Sequence, residues 1–269
     1  MWLQKFWHKT LGVPYTLHVR ERKRIRGAKT TVVFLHGIGN SGAAWKEVTD
    51  VLAKDKVNII VVDLLGFGQS PKPAWAQYDA AMQARALAKT LAMRGVMGKV
   101  VLVGHSMGAL IAIEYAKRFE SRVSRMVLCS PPLYDDKTRK YMPERDQQLK
   151  KLYDLMTNYP TRLIQAGNLA KKYGLIGDSF HLTHENIRQY ISALKTAIIS
   201  QTSLKDIAGL SLPIAIIYGT LDPLVVGGRL KKLAKNHSNI QVSSFIGSHE
   251  IEGRYVPRVV ALVKNQYTQ

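Results

Sequence analysis

The sequence predicts an α/β fold in which a mostly parallel central sheet is flanked by helices and interrupted by a helical insertion. Three observations predict it. Short apolar runs alternate with helix-compatible stretches through the first half of the chain. Those runs are continuous rather than every-other-residue, which marks strands buried on both faces, as in a parallel sheet. From residue 133 to about residue 202 no convincing strand pattern occurs, and then the alternation resumes. The expected division is therefore a first core part over 1–132, a helical cap or lid over 133–202, and a second core part over 203–269.

The elements follow in order. Leu3, Phe6 and Trp7, with Trp2, fall near one side of one or two helical turns beside Lys5 and Lys9. That segment reads as a flap packed on the body, with substrate-entrance or membrane contact as the alternative. Residues 15–19 alternate toward a strand. The basic run Arg20-Glu21-Arg22-Lys23-Arg24-Ile25-Arg26 before Gly27 then suits an exposed edge kept soluble by charge. Strands are expected at 30–35, 57–62, 100–103, 122–129, 212–218 and 240–245. Helices are expected at 45–52, 81–93 (capped by Asp79), behind Ser106, at 229–235 and at 257–266. Within the insertion, 147–156, 161–173 and 184–199 read as helices separated by Pro160 and Gly177.

A chain of 269 residues with 46% hydrophobic content can bury one substantial core. Its one cysteine, Cys129, rules out an intrachain disulfide and reads as a small core residue. No run approaches the roughly 18 apolar residues of a membrane span. The N-terminus lacks a signal peptide's apolar stretch, so a cytoplasmic location is expected. Lys+Arg 39 against Asp+Glu 19 gives a net charge of +20. That predicts attraction to anionic surfaces, polymers or substrates without choosing among them. Specific nucleic-acid binding has no support, since zinc-ligand spacing, a basic recognition helix and an aromatic RNP-like strand are all missing. A weak electrostatic contact with an anionic membrane surface remains.

The chemistry centres on Gly104-His105-Ser106-Met107-Gly108, where a buried strand turns sharply into a helix. Side chains at Gly104 or Gly108 would crowd that turn, and Ser106 is left at its tip as a nucleophile. The Met107 N–H, at the helix start, points toward any negative charge that develops there. Ser106 needs a base, and the base needs a partner that fixes its tautomer. His249 and Asp222 each follow a predicted strand, and in a parallel sheet those strand ends share one edge. The glycine-rich loop His36-Gly37-Ile38-Gly39-Asn40 follows the second strand, and the Ile38 N–H is the expected second donor to an oxyanion. Asn40 and Ser41 are polar alternatives. His36 and His105 read as bracing residues, Asp63 as a loop-shaping rival acid, and Glu250 as a neighbour able to affect His249. No His-Glu-x-x-His or ligand-spaced cluster occurs, and Gly66-Phe67-Gly68 fits neither a dinucleotide nor a phosphate loop. No metal and no cofactor are expected.

These motifs, together with Gly66-Phe67-Gly68-Gln69-Ser70, Gly219-Thr220-Leu221-Asp222 and Gly247-Ser248-His249, resemble the α/β-hydrolase family from about residue 14 to 266. The resemblance implies the α/β-hydrolase fold, a Ser106–Asp222–His249 triad and a substrate-selecting cap. A serine at the elbow is unlike the epoxide-hydrolase and haloalkane-dehalogenase branches, which use aspartate there. The overall look is similar to bacterial carboxylesterases. The expected activity is hydrolysis of small-molecule carboxylic esters of short to medium acyl chain through an acyl-enzyme. Leu133, Tyr134, Tyr141, Leu152, Tyr153, Met156 and Leu169 are candidate pocket residues, and the cationic surface points weakly to anionic esters. One alternative is C–C bond or thioester hydrolysis, which needs a polar cap group such as Arg139, Lys140 or Arg162 for a substrate carboxylate. The other is a non-catalytic protein that binds anionic surfaces.

Overall fold

The apolar runs expected at 30–35, 57–62, 100–103, 122–129, 212–218 and 240–245 each form a strand. The computed structural model describes residues 2–134, 154, 157–173 and 180–265. The strands are β1 (His18–Lys23), β2 (Thr31–Leu35), β3 (Asn58–Asp63), β4 (Val100–His105), β5 (Val123–Cys129), β6 (Ile214–Gly219) and β7 (Ile240–Phe245). They form one sheet in the order β1-β3-β2-β4-β5-β6-β7. Only β1 runs antiparallel, against β3, at the charged edge. The other neighbours are parallel.

Period-two alternation sends side chains to both faces. Val33, Leu35, Ile60, Val62 and Leu102 pack on one side with helices α3 (Ala80–Met93) and α4 (Met107–Phe119). Val32, Phe34, Ile59, Val61 and Val101 pack on the other with α2 (Lys46–Leu52) and α9 (Tyr255–Lys264). Asp79 caps α3 by accepting from the Met82 N–H at 2.7 Å. Among the described residues, the remaining α-helices are α1 (Trp2–Lys5), α5 (Pro160–Lys172), α6 (Ile187–Ala193), α7 (Ser203–Ala208) and α8 (Gly227–Asn236). The expected helix at 184–199 starts at Ile187 and loosens into a π-helical stretch at Leu194–Ile199. Of the expected helix at 147–156, only Asp154 falls among the described residues.

The N-terminus departs from the packed flap expected of it. Helix α1 runs into a π-helical turn at Phe6–Thr10. His8 anchors that turn, stacked on Tyr15 at 3.6 Å with Nδ1 2.6 Å from the Val13 carbonyl. The histidine makes these contacts, so the apolar residues turn outward: Leu3, Phe6, Trp7 and Leu11 are 42–73% exposed.

Asp63, at the end of β3, draws three segments together. Its carboxylate accepts from Arg20 Nε (3.0 Å) and Nη2 (3.1 Å) on β1, from the Gly42 N–H (2.8 Å) and from the Gln69 N–H (2.9 Å). Burial works against the ionised form, but these bonds and the nearby His36 outweigh it and hold the carboxyl below its usual range. A depressed folded-state pKa adds stability above the unfolded-state value of about 4, and that stability is lost as pH falls through the folded value. Asp63→Ala strands a partly exposed guanidinium, the buried Gly42 amide and the Gln69 amide, and is expected to cost about 3 kcal/mol at neutral pH. Urea unfolding of both proteins at neutral and acidic pH should show the gap closing as the medium becomes acidic.

Candidate active site

The parallel strands deliver their following loops to one edge of the sheet, and the candidate residues lie on those loops. Register pairs Leu35 with Gly104 and His105 with Cys129, so the ends of β2, β4 and β5 stand side by side. Ser106 is the single residue between β4 and α4, at φ 52° and ψ −119°. A non-glycine residue there is strained, and close backbone packing holds it. A Cβ on Gly104 would lie 2.5 Å from the Gly108 carbonyl oxygen, and one on Gly108 would lie 2.3 Å from the Leu35 carbonyl oxygen. The start of α4 is thus pressed against the end of β2. Neither the Met107 nor the Ile38 N–H has a hydrogen-bond acceptor among the described residues.

His249 Nδ1 lies 2.7 Å from Asp222 Oδ2, and the Asp222 side chain is fully buried. Asp222 Oδ1 accepts from the Leu224 N–H at 2.8 Å. Burial alone would raise the Asp222 pKa. The hydrogen bond and charge of His249, the Ser130 hydroxyl and the Leu224 amide reverse that and keep the carboxyl below its ordinary value. Ser130, the residue after β5, is therefore a support of Asp222. It sits at φ 47°, with its hydroxyl 3.0 Å from the Tyr255 hydroxyl. Tyr255 in turn donates to the Ile217 carbonyl at 2.8 Å.

The two buried histidines act as braces. His36 Nε2 accepts from the Leu64 N–H at 2.9 Å, so Nδ1 carries the proton and donates to the Gly37 carbonyl at 2.7 Å. His105 Nε2 donates to the His249 carbonyl at 2.8 Å, tying the Ser106 turn to the His249 loop. Burial pushes both pKa values down, to about 4 and about 3, so both rings stay neutral.

Ser106, His249, Ile38, Asn40 and Glu250 line one cavity of about 480 Å³. Its other walls are mainly apolar: Tyr134, Leu163, Phe180, Leu182, Tyr190, Leu194 and Ile198 from the insertion, and Pro132, Pro223 and Leu224 from the core loops. Of the residues expected here, Tyr134 lines the cavity, Leu133 is buried in the core and Leu169 is 55% exposed. Tyr141, Leu152, Tyr153 and Met156 lie outside the described residues. Phe180 and Tyr190 were missed because they belong to no motif. The i, i+4 pair Leu194 and Ile198 was the available signal within the insertion. Among the described lining residues there is no Lys or Arg, and Glu250 is the one carboxylate. Arg162 points elsewhere, 5.0 Å over the Tyr159 ring. No group of three or more His, Cys, Asp or Glu suited to a metal occurs among the described residues.

The model of the alpha/beta hydrolase fold family matches residues 30–169, more than half of the chain. The protein belongs to the α/β-hydrolase family. Within this family it is 36% identical over 116 residues to an uncharacterised Mycobacterium tuberculosis protein, a match covering 43% of this chain and 33% of that one. It is 31% identical over 120 residues to the probable lysophospholipase BODYGUARD 2 of Arabidopsis thaliana, covering 43% and 26% of the two chains. The chain thus matches a third or less of the length of these curated relatives. A thermophilic esterase from Thermogutta terrifontis superposes with a TM-score of 0.73 at 20% identity, covering 93% of this chain and 92% of that one.

Proposed function

We propose that this α/β-hydrolase is a serine carboxylesterase acting on uncharged esters of short to medium acyl chain. The observation that carries this reading is the 2.7 Å Asp222–His249 pair opening on the same apolar cavity as the strained Ser106. His249 takes the Ser106 proton as Oγ attacks the acyl carbon, and Asp222 steadies the imidazolium. The Met107 and Ile38 N–H groups receive the oxyanion. His249 then protonates the departing alcohol and activates a water that releases the acid and restores Ser106. The described part of the insertion walls a cavity of a size suited to a small ester, as a substrate-selecting cap would. The esterase and the probable lysophospholipase similar to this chain support an ester as the bond cleaved.

Of the cations that a C–C hydrolase would need for a substrate carboxylate, Arg162 points elsewhere, and Arg139 and Lys140 lie outside the described residues. Glu250 on the cavity wall favours uncharged over anionic esters. Burial raises the Glu250 pKa, His249 beside it eases the rise, and Glu252 and Asp222 add to it. When ionised, Glu250 repels an anionic acyl group. Glu250→Gln is therefore expected to raise kcat/KM for a p-nitrophenyl hemisuccinate about tenfold relative to the butyrate. An unchanged ratio would remove Glu250 from substrate selection. The reading as a whole is tested with p-nitrophenyl esters from acetate to dodecanoate, alongside thioester and vinylogous C–C substrates. A short- or medium-chain ester optimum supports it, and turnover of thioester or C–C substrates alone overturns it.

A further inference from the structure

A second cavity, of about 590 Å³, lies at the opposite edge of the sheet, where β2, β3 and β4 begin. One wall is the end of β1 with the β1–β2 connection, contributing Arg22 and Lys23 from the strand and Arg24, Arg26 and Lys29 from the connection. The other is the α3–β4 loop, which contributes Arg94 and Lys99. No Asp or Glu is among its lining residues, and none of the seven cations forms a salt bridge to a carboxylate among the described residues. Lys23 is held by the Ala53 and Asp55 carbonyls, and Arg22 by the Arg94 carbonyl at 2.8 Å. Arg24, Arg26, Lys29, Arg94 and Lys99 are left exposed at the rim.

The shape is fixed by the fold. Asn58, on the floor, accepts from the Ile25 N–H at 2.8 Å and donates to the Ala28 carbonyl at 3.4 Å, holding the β1–β2 connection in place. The Arg22–Arg94 bond ties the two walls together. Seven like charges gathered around one fixed cleft repel one another, and a dense anion relieves that repulsion. A single carboxylate would neutralise only one of them. Adjacent phosphate groups carry several charges, and their oxygens match the forked donors of arginine.

We propose that this cleft binds a ligand with closely spaced phosphate oxyanions, supplied by a soluble polyphosphate or by a phosphomonoester lipid headgroup. The site is separate from Ser106 and does not depend on the esterase reading.

The test compares wild type with a cleft variant (Arg24→Gln, Arg26→Gln, Lys99→Gln) and a charge-matched control on α8 (Lys231→Gln, Lys232→Gln, Lys235→Gln). Inorganic tripolyphosphate is titrated calorimetrically, and sedimentation follows binding to phosphatidylcholine vesicles with and without phosphatidic acid. The expected result is a loss of affinity of about tenfold or more in the cleft variant, with the control near wild type. Tripolyphosphate binding at one per chain assigns the soluble source. Binding confined to phosphatidic acid vesicles assigns the headgroup. Binding of neither probe overturns the proposal, as does an equal loss in both variants, which would reduce the effect to net charge. Circular dichroism and unchanged ester turnover by the cleft variant establish that it has folded.

Discussion

Replacing Ser106 with alanine is expected to lower kcat/KM for the best p-nitrophenyl ester by about 10⁴- to 10⁶-fold and to leave the melting temperature unchanged. Alanine keeps the Cβ, so the φ of 52° at this position is as strained in the variant as in the parent. What is lost is the oxygen that forms the acyl-enzyme. A small residual rate should survive, because the Met107 and Ile38 amides and the cavity still bind and polarise the ester. His249→Ala should cost a similar factor, and the double variant little more, since the two groups act as one unit. A Ser106→Ala rate within tenfold of wild type would transfer the nucleophile elsewhere. Additive losses in the double variant would mean that His249 acts independently of Ser106.

The parts of this molecule legible in the sequence are those whose physics is local. Val100–Val103 could be read as a buried strand because four aliphatic residues in a row without polar alternation run straight into a glycine-marked turn, and the observed strand continues to His105. The turn at Ser106 could be read because two glycines remove the Cβ atoms that would collide there. Asp222 and His249 could be placed because parallel topology sends loops after strands to a common edge. The start of α3 followed from Asp79, whose side chain caps it.

What escaped the sequence depends on distant partners. Helix α7 is six residues long, and tertiary contacts hold it: Ile207 is fully buried and Asp206 lies 3.0 Å from Lys117 on α4. Ser130 supports Asp222 only because two strand ends, β5 and β6, stand side by side. The exposure of Phe6 and Trp7 escaped for a related reason. Periodicity sorts the faces of a helix but does not say what covers them. The basic connection read as a solubilising edge became a cleft once the α3–β4 loop stood opposite it.

Gly108→Ala is expected to damage stability and turnover together. The added Cβ would meet the Leu35 carbonyl oxygen at 2.3 Å and the His36 carbonyl oxygen at 2.7 Å. Both are backbone atoms with no rotamer to retreat to. Leu35 is locked in register with Val62 on one side and Gly104 on the other, so β2 cannot yield without disturbing two ladders. The helix must move instead, at a cost of about 2–4 kcal/mol. That displacement separates the Met107 amide at the start of α4 from the Ile38 amide two residues beyond His36. A misplaced oxyanion donor costs about 10²- to 10³-fold in kcat with little change in KM. Gly98→Ala is the matched comparison, because nothing lies within 4 Å of the added carbon. It should be neutral or stabilising by up to about 1 kcal/mol. Urea unfolding and a kcat-against-KM comparison for both variants check the pair. If Gly108→Ala lowered stability by moving α4 but left kcat intact, the Met107 amide would not be an oxyanion donor.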